Sequence, residues 1–186
     1  MKKLRGFKNK KGGFTLIEFM LVMVLGLIAA AVLLPRYESY SATSEGRTAA
    51  GKCGEFKTYI ISNYQDQASY DQLKAQYVNL APKTFKLNAH KDGIINVWRH
   101  PVTATEIDHS GHAGFQIETQ GVPRGLACTE FVKRSQSNGW NQILVGSKTI
   151  VAETGTSAII AACAPDVNNS RATISIKMQY WNEVTA

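Results

Sequence analysis

Between Phe19 and Leu34 the sequence has no charged residue at all, and between Met1 and Lys11 it has no acid. The first gap excludes an ordinary soluble amphipathic helix over that stretch, because such a helix carries a polar face. The second leaves a purely basic head. The formal net charge of +7 is absent from the rest of the chain: six of the 21 basic residues lie in Met1 to Lys11, and from Phe14 onward 15 basic residues face 14 acids, a net +1. The basic excess therefore argues for membrane orientation, with Lys and Arg held on the cytoplasmic side, and no nucleic-acid binding is expected. A phosphate loop, a nucleophile paired with a base and a metal box at standard spacing are all missing, so little supports an exported enzyme or metal protein, and no cofactor is expected. Only three cysteines are present, Cys53, Cys128 and Cys163. An exported domain would meet an oxidising compartment, but an odd count does not give connectivity.

The chain is organised around Gly12-Gly13-Phe14-Thr15-Leu16-Ile17-Glu18, which separates the basic head from the apolar run. Glu18 is the sole ionisable side chain in the apolar segment. A carboxylate in hydrocarbon costs about 3 kcal/mol even on lenient insertion scales, so it is read as functional and requires a partner. Phe14 to Leu34, as a helix rising about 1.5 Å per residue, covers about 31 Å, enough to cross a bilayer. A secretory signal ending at Ala29-Ala30-Ala31 is the competing reading. It leaves the buried acid and the Gly13–Phe14 junction unexplained.

This stretch resembles the type IV prepilin signal. The resemblance implies cleavage after Gly13 by a prepilin peptidase, N-methylation of Phe14, and an apolar segment that serves first as a membrane anchor and then as the core of a helical filament. Leu34, Pro35, Tyr37 and Tyr40 match a Leu-Pro-x-Tyr-x-x-Tyr pattern of type IVa pilins. Proline within a helix removes one hydrogen bond and bends it; it also ends helices, but here the pattern continues. Pro35 is thus read as a helix kink. The domain reading is a removed leader over 1–13, a transmembrane and filament-core helix over 14–34, its amphipathic half over 35–66, and an exported globular domain over 67–186.

Ala49, Cys53, Phe56 and Ile60 recur at spacings of four, three and four, one helical face. Cys53 on that face reads as a buried, reduced, free thiol behaving as a small hydrophobe. Gly46, Ala50 and Gly54 form a second, small-residue stripe. It admits three readings: close approach of a neighbouring helix, flexibility within a filament, or a weakly helical stretch that tolerates glycine.

From Asn63 to His90 the chain is a polar connection with one short helix near Tyr70 to Tyr77. Ile94 to Trp98, Ala104 to Asp108 and Gly114 to Glu118 read as antiparallel strands in a meander, separated by turn residues such as Ser110-Gly111. Asp108, His109 and His112 stand close enough to suggest a metal, but a fourth ligand at standard spacing is missing, so they read as solvated turn residues. Gly121-Val122-Pro123 opens a second helix, proline being favoured at the first helical position, and Leu126, Ala127, Cys128, Phe131 and Val132 continue its apolar face. Ile143 to Val145, Gly146-Ser147 and Thr149 to Val151 read as a hairpin. Ala158 to Cys163, a polar loop Pro165 to Ser170 and an alternating strand Ala172 to Met178 follow.

The segment from Val122 to Met178 looks like the C-terminal half of type IVb pilins, and that resemblance implies a Cys128–Cys163 disulfide. The expected fold is α+β: a long N-terminal helix packed on an antiparallel β-sheet, with a disulfide-closed C-terminal region. The expected function is that of a structural subunit of a type IV pilus, polymerised into an extracellular filament for adhesion, conjugation or motility. The alternative is a minor pilin or pseudopilin of a type II-like secretion or conjugation apparatus. The implied partners are further copies of the chain, a prepilin peptidase, the pilus assembly platform with its minor pilins, and the bacterial inner membrane before assembly. Glu18 is the residue expected to carry assembly and register.

Overall fold

The computed structural model describes residues 15–166, 169 and 172–182. Gly13 and Phe14, the expected cleavage junction and methylation site, lie outside the described residues. The chain divides into two compact units, Met1–Ser39 and Tyr40–Ala186.

The described part of the first unit is helical. Helix α1 runs over Leu16–Asn63 and contains Pro35 without ending there. Every residue from 15 to 39 is exposed, Leu16 and Ile17 at 76%. By length and composition α1 is able to cross a membrane. Among the described residues of this unit nothing buries its apolar surface, the reverse of what water-soluble packing requires.

The second unit is α+β, as expected. Among the described residues it combines the later part of α1 with α2 (Leu73–Leu80), α3 (Leu126–Gln136), α4 (Thr156–Ala162) and seven strands: β1 (Lys86–Leu87), β2 (Ile94–Ile95), β3 (Pro101–His109), β4 (His112–Pro123), β5 (Gln142–Val145), β6 (Lys148–Ile150) and β7 (Thr173–Trp181). They form one antiparallel sheet in the order β1-β2-β3-β4-β7-β5-β6. Strands β2, β3 and β4 are the expected meander, and β1 extends it with two residues from the stretch expected to be a polar connection. The last strand then inserts between β4 and the β5–β6 hairpin, a long-range pairing that no local pattern specifies.

Strand β7 shows why one face is buried. Ile174, Ile176 and Met178 alternate with Thr173, Ser175 and Lys177, so a period of two puts the apolar set on one side. That face meets Phe56 and Ile60 of α1, Phe115 and Ile117 of β4, Ile143 of β5 and Phe131 of α3, all within one buried cluster.

Several expected boundaries are corrected. Pro123 does not open a helix: it ends β4, paired with Thr173 beyond an irregularity between Thr119 and Val122. Edge and bulge positions tolerate proline, and α3 begins only after Gly125, whose φ is 85°. The strand expected over Ile94 to Trp98 stops at Ile95, because Asn96 turns the chain. Its Oδ1 accepts the Trp98 and His100 backbone N–H groups, and its Nδ2 donates to Thr119 Oγ1 and Gln120 O. The short helix falls at Leu73–Leu80 rather than Tyr70 to Tyr77, and α1 ends at Asn63 rather than residue 66.

Candidate assembly helix and its anchoring

Glu18 sits in the first turn of α1. Its Oε2 accepts the Thr15 backbone N–H at 2.8 Å and the Thr15 hydroxyl at 3.0 Å, while the Glu18 N–H donates to Thr15 Oγ1 at 3.3 Å. This is a reciprocal capping box, satisfying donors that helix starts leave without partners. A negative side chain there also complements the helix dipole. The signal was legible as Thr-x-x-Glu ahead of an apolar run, and reading Glu18 only as an acid in hydrocarbon passes over it. Further along, Pro35 removes one backbone donor, and Ser39 Oγ donates to Pro35 O at 2.9 Å.

Within the second unit, α1 is held by backbone proximity and by a few polar ties. A Cβ at Gly46 would stand 2.3 Å from the Ala127 carbonyl oxygen, and one at Gly54 would stand 2.6 Å from Asn138 Nδ2. The small-residue stripe thus allows close approach of α3 and the loop after it. Asn138 Nδ2 donates to Ala50 O at 3.1 Å. Arg47 pairs with Glu130 at 2.8 Å, and Trp98 Nε1 donates to Glu45 Oε2 at 2.8 Å.

Lys57 is buried on α1. Its ammonium donates to Asn138 O and Gly139 O and faces the rings of Tyr180, at 4.4 Å, and Trp140, at 5.2 Å. Burial nevertheless pulls its pKa down to about 8. Cys53 is buried on the same helix and carries no disulfide. Burial pushes its thiol up to about 12, which keeps it protonated and unreactive.

Cys128 of α3 and Cys163, directly after α4, form a disulfide with Cα atoms 5.6 Å apart. The Gly125 N–H donates to Cys163 O at 2.7 Å, and Arg124 Nη1 donates to Ala164 O at 3.2 Å, tying the start of α3 to the same junction. Asp108, His109 and His112 lie at the β3–β4 turn. Asp108 Oδ1 accepts the Gly111 N–H, and the His109 ring stacks on Trp181 at 3.9 Å. Among the described residues no group of three His, Cys, Asp or Glu side chains is placed to hold a metal.

The sequence matches the family model described as PilS N terminal over residues 56–178 and the prokaryotic N-terminal methylation motif over residues 8–34. A type IV major fimbrial protein FimA of Dichelobacter nodosus is 34% identical over 65 residues, 35% of this chain and 41% of that protein. A second FimA of the same organism is 38% identical over 53 residues, 28% of this chain and 34% of that protein. The matched stretch thus spans well under half the length of these relatives. The fold is similar to that of a type IV b pilin from Salmonella typhi, with a TM-score of 0.52 at 17% identity, covering 74% of this chain and 96% of that one.

Proposed function

Because the chain belongs to the PilS family of type IV pilins, we propose that it is a structural subunit that polymerises into an extracellular type IV pilus. The observation that carries this reading is the stretch from residue 15 to 39, the start of α1, exposed along its whole length, with Glu18 as the one acid in its apolar run. Such a surface needs either lipid or other copies of itself.

In this reading a prepilin peptidase cuts after Gly13 and Phe14 is methylated at its new amine. The globular unit lies outside the bacterial inner membrane until the assembly platform and its minor pilins extract the helix into the filament. Glu18 is the register device. A free amine is positively charged at neutral pH, and a neighbouring subunit shifted along the axis presents its Phe14 amine to Glu18. Oε2 is already engaged by Thr15, and a carboxylate retains further acceptor sites for that amine. Desolvation offsets much of the attraction, so the pair sets alignment more than stability: a misaligned subunit leaves a bare buried charge at about 3–5 kcal/mol.

Filaments sheared from cells and analysed by intact-mass spectrometry test the reading. The bulk protein should begin at Phe14 and carry one extra methyl. Intact Met1, a cut near Ala31, or filaments lacking this chain would overturn it.

A further inference from the structure

A second feature of the globular unit lies apart from the exposed stretch 15–39. Lys52 of α1, Lys86 of β1 and Arg99 of the loop after β2 line one cavity of about 500 Å³, together with Ile95, Asn96 and Val97. A volume of that order suits a small organic ligand. We infer that this cavity binds a phosphate monoester carried on a small organic body.

The charge is local. Residues 83–100 carry four Lys or Arg against the single acid Asp92, whereas the chain from Phe14 onward is nearly neutral. Among the described residues none of the three lining cations stands within ion-pair distance of an acid, and no acid lines the cavity. Three acids of the same unit accept from neutral donors rather than from these cations. Glu55 accepts Thr84 Oγ1, Glu45 accepts Trp98 Nε1 and Ser41 Oγ, and Asp92 accepts Asn88 Nδ2. Three cations around one concavity repel each other until an anion enters, and low-dielectric walls such as Ile95 and Val97 focus that field.

The frame is also fixed in advance. Lys86 is paired in register with Ile95. The Lys52 ammonium lies 6.0 Å from the centre of the Phe85 ring, beside Lys86. The loop carrying Arg99 is clamped by the four bonds of the Asn96 side chain. Arg99 itself has φ 64°, a left-handed conformation that glycine would adopt without cost. A phosphate monoester carries nearly two negative charges at neutral pH and offers acceptors to all three cations. A sulfate ester of the same shape carries one.

The test is calorimetric titration of the detergent-solubilised full chain with glucose 6-phosphate, glucose 6-sulfate and glucose. Glucose 6-phosphate should bind, more tightly than the sulfate, with affinity falling as salt rises, and glucose should not bind. Lys52→Gln and Lys86→Gln should each weaken binding about tenfold, the size of one charge-assisted hydrogen bond. Arg99→Gly is the fold-preserving probe: binding should weaken about tenfold while the thermal midpoint stays level or rises, because glycine suits the backbone. Absence of glucose 6-phosphate binding, equal binding of the sulfate or of glucose, or an Arg99→Gly variant that binds like wild type would overturn the inference. None of these outcomes bears on filament formation, so the two readings fail separately.

Discussion

Gly46 of α1 lies against the backbone of Ala127 so closely that a β-carbon would fall 2.3 Å from its carbonyl oxygen. The obstacle is a backbone atom of α3, and α3 is itself tied to α4 by the disulfide, so neither partner yields cheaply. Gly46→Ala should destabilise the globular unit by about 1–3 kcal/mol, the usual cost of overpacking, although alanine is the better helix former. Thermal unfolding of the purified protein reads the sign: a higher midpoint would mean that the two helices slide apart freely.

The sulfurs give a second expectation. The Cys128–Cys163 bridge closes a separation of 35 residues, and a loop of that length corresponds to about 3–4 kcal/mol of chain entropy in the unfolded state. Cys128→Ser should lower the steady-state level and leave Cys163 open to alkylation. Cys53, buried with a raised thiol pKa, should react only after denaturation, as one equivalent per chain under non-reducing conditions. Rapid alkylation of Cys53 in the native protein would contradict its place in the core.

Lys57 predicts a pH dependence. Its amine is pulled from 10.5 to about 8 by burial. Between those values the unfolded chain holds the proton that the folded chain has lost, so stability rises with pH over that window. Cys53 acts in the opposite sense: its raised pKa gives stability that is complete below 9.0 and falls as pH climbs toward 12. The difference between wild type and Lys57→Met isolates the lysine. Urea midpoints should show wild type gaining on the variant from pH 8 to 10.5, and a flat difference would mean that the carbonyls and the Tyr180 and Trp140 rings fully offset burial.

Much of this was legible locally. The α1 face of Ala49, Cys53, Phe56 and Ile60, the hairpin over Ile143 to Ile150 and the alternation of β7 all follow from period and turn chemistry. What escaped was set by distant partners. Pro123 carries a helix-start signal, yet Thr173, fifty positions away, takes it into the sheet. Asn96 stands inside a strand-like run, and its side chain holds both the local turn, through the Trp98 and His100 N–H groups, and the distant Thr119 and Gln120. The meaning of the Gly46, Ala50 and Gly54 stripe needed the position of α3. The Thr15–Glu18 cap is the exception, a Thr-x-x-Glu pattern that local spacing alone specifies.

The measurement that bears most directly on the assembly account is a paired reading of Glu18→Val: leader cleavage by mass spectrometry and filament yield by electron microscopy from the same cells. Valine suits the apolar run and removes the carboxylate that a neighbouring amine would meet. The account predicts a chain inserted and cut after Gly13 that yields few or no filaments, and that lowers the yield when co-expressed with wild type. Normal pili from the variant would contradict the register role, and an uncut precursor would shift Glu18 to recognition by the peptidase.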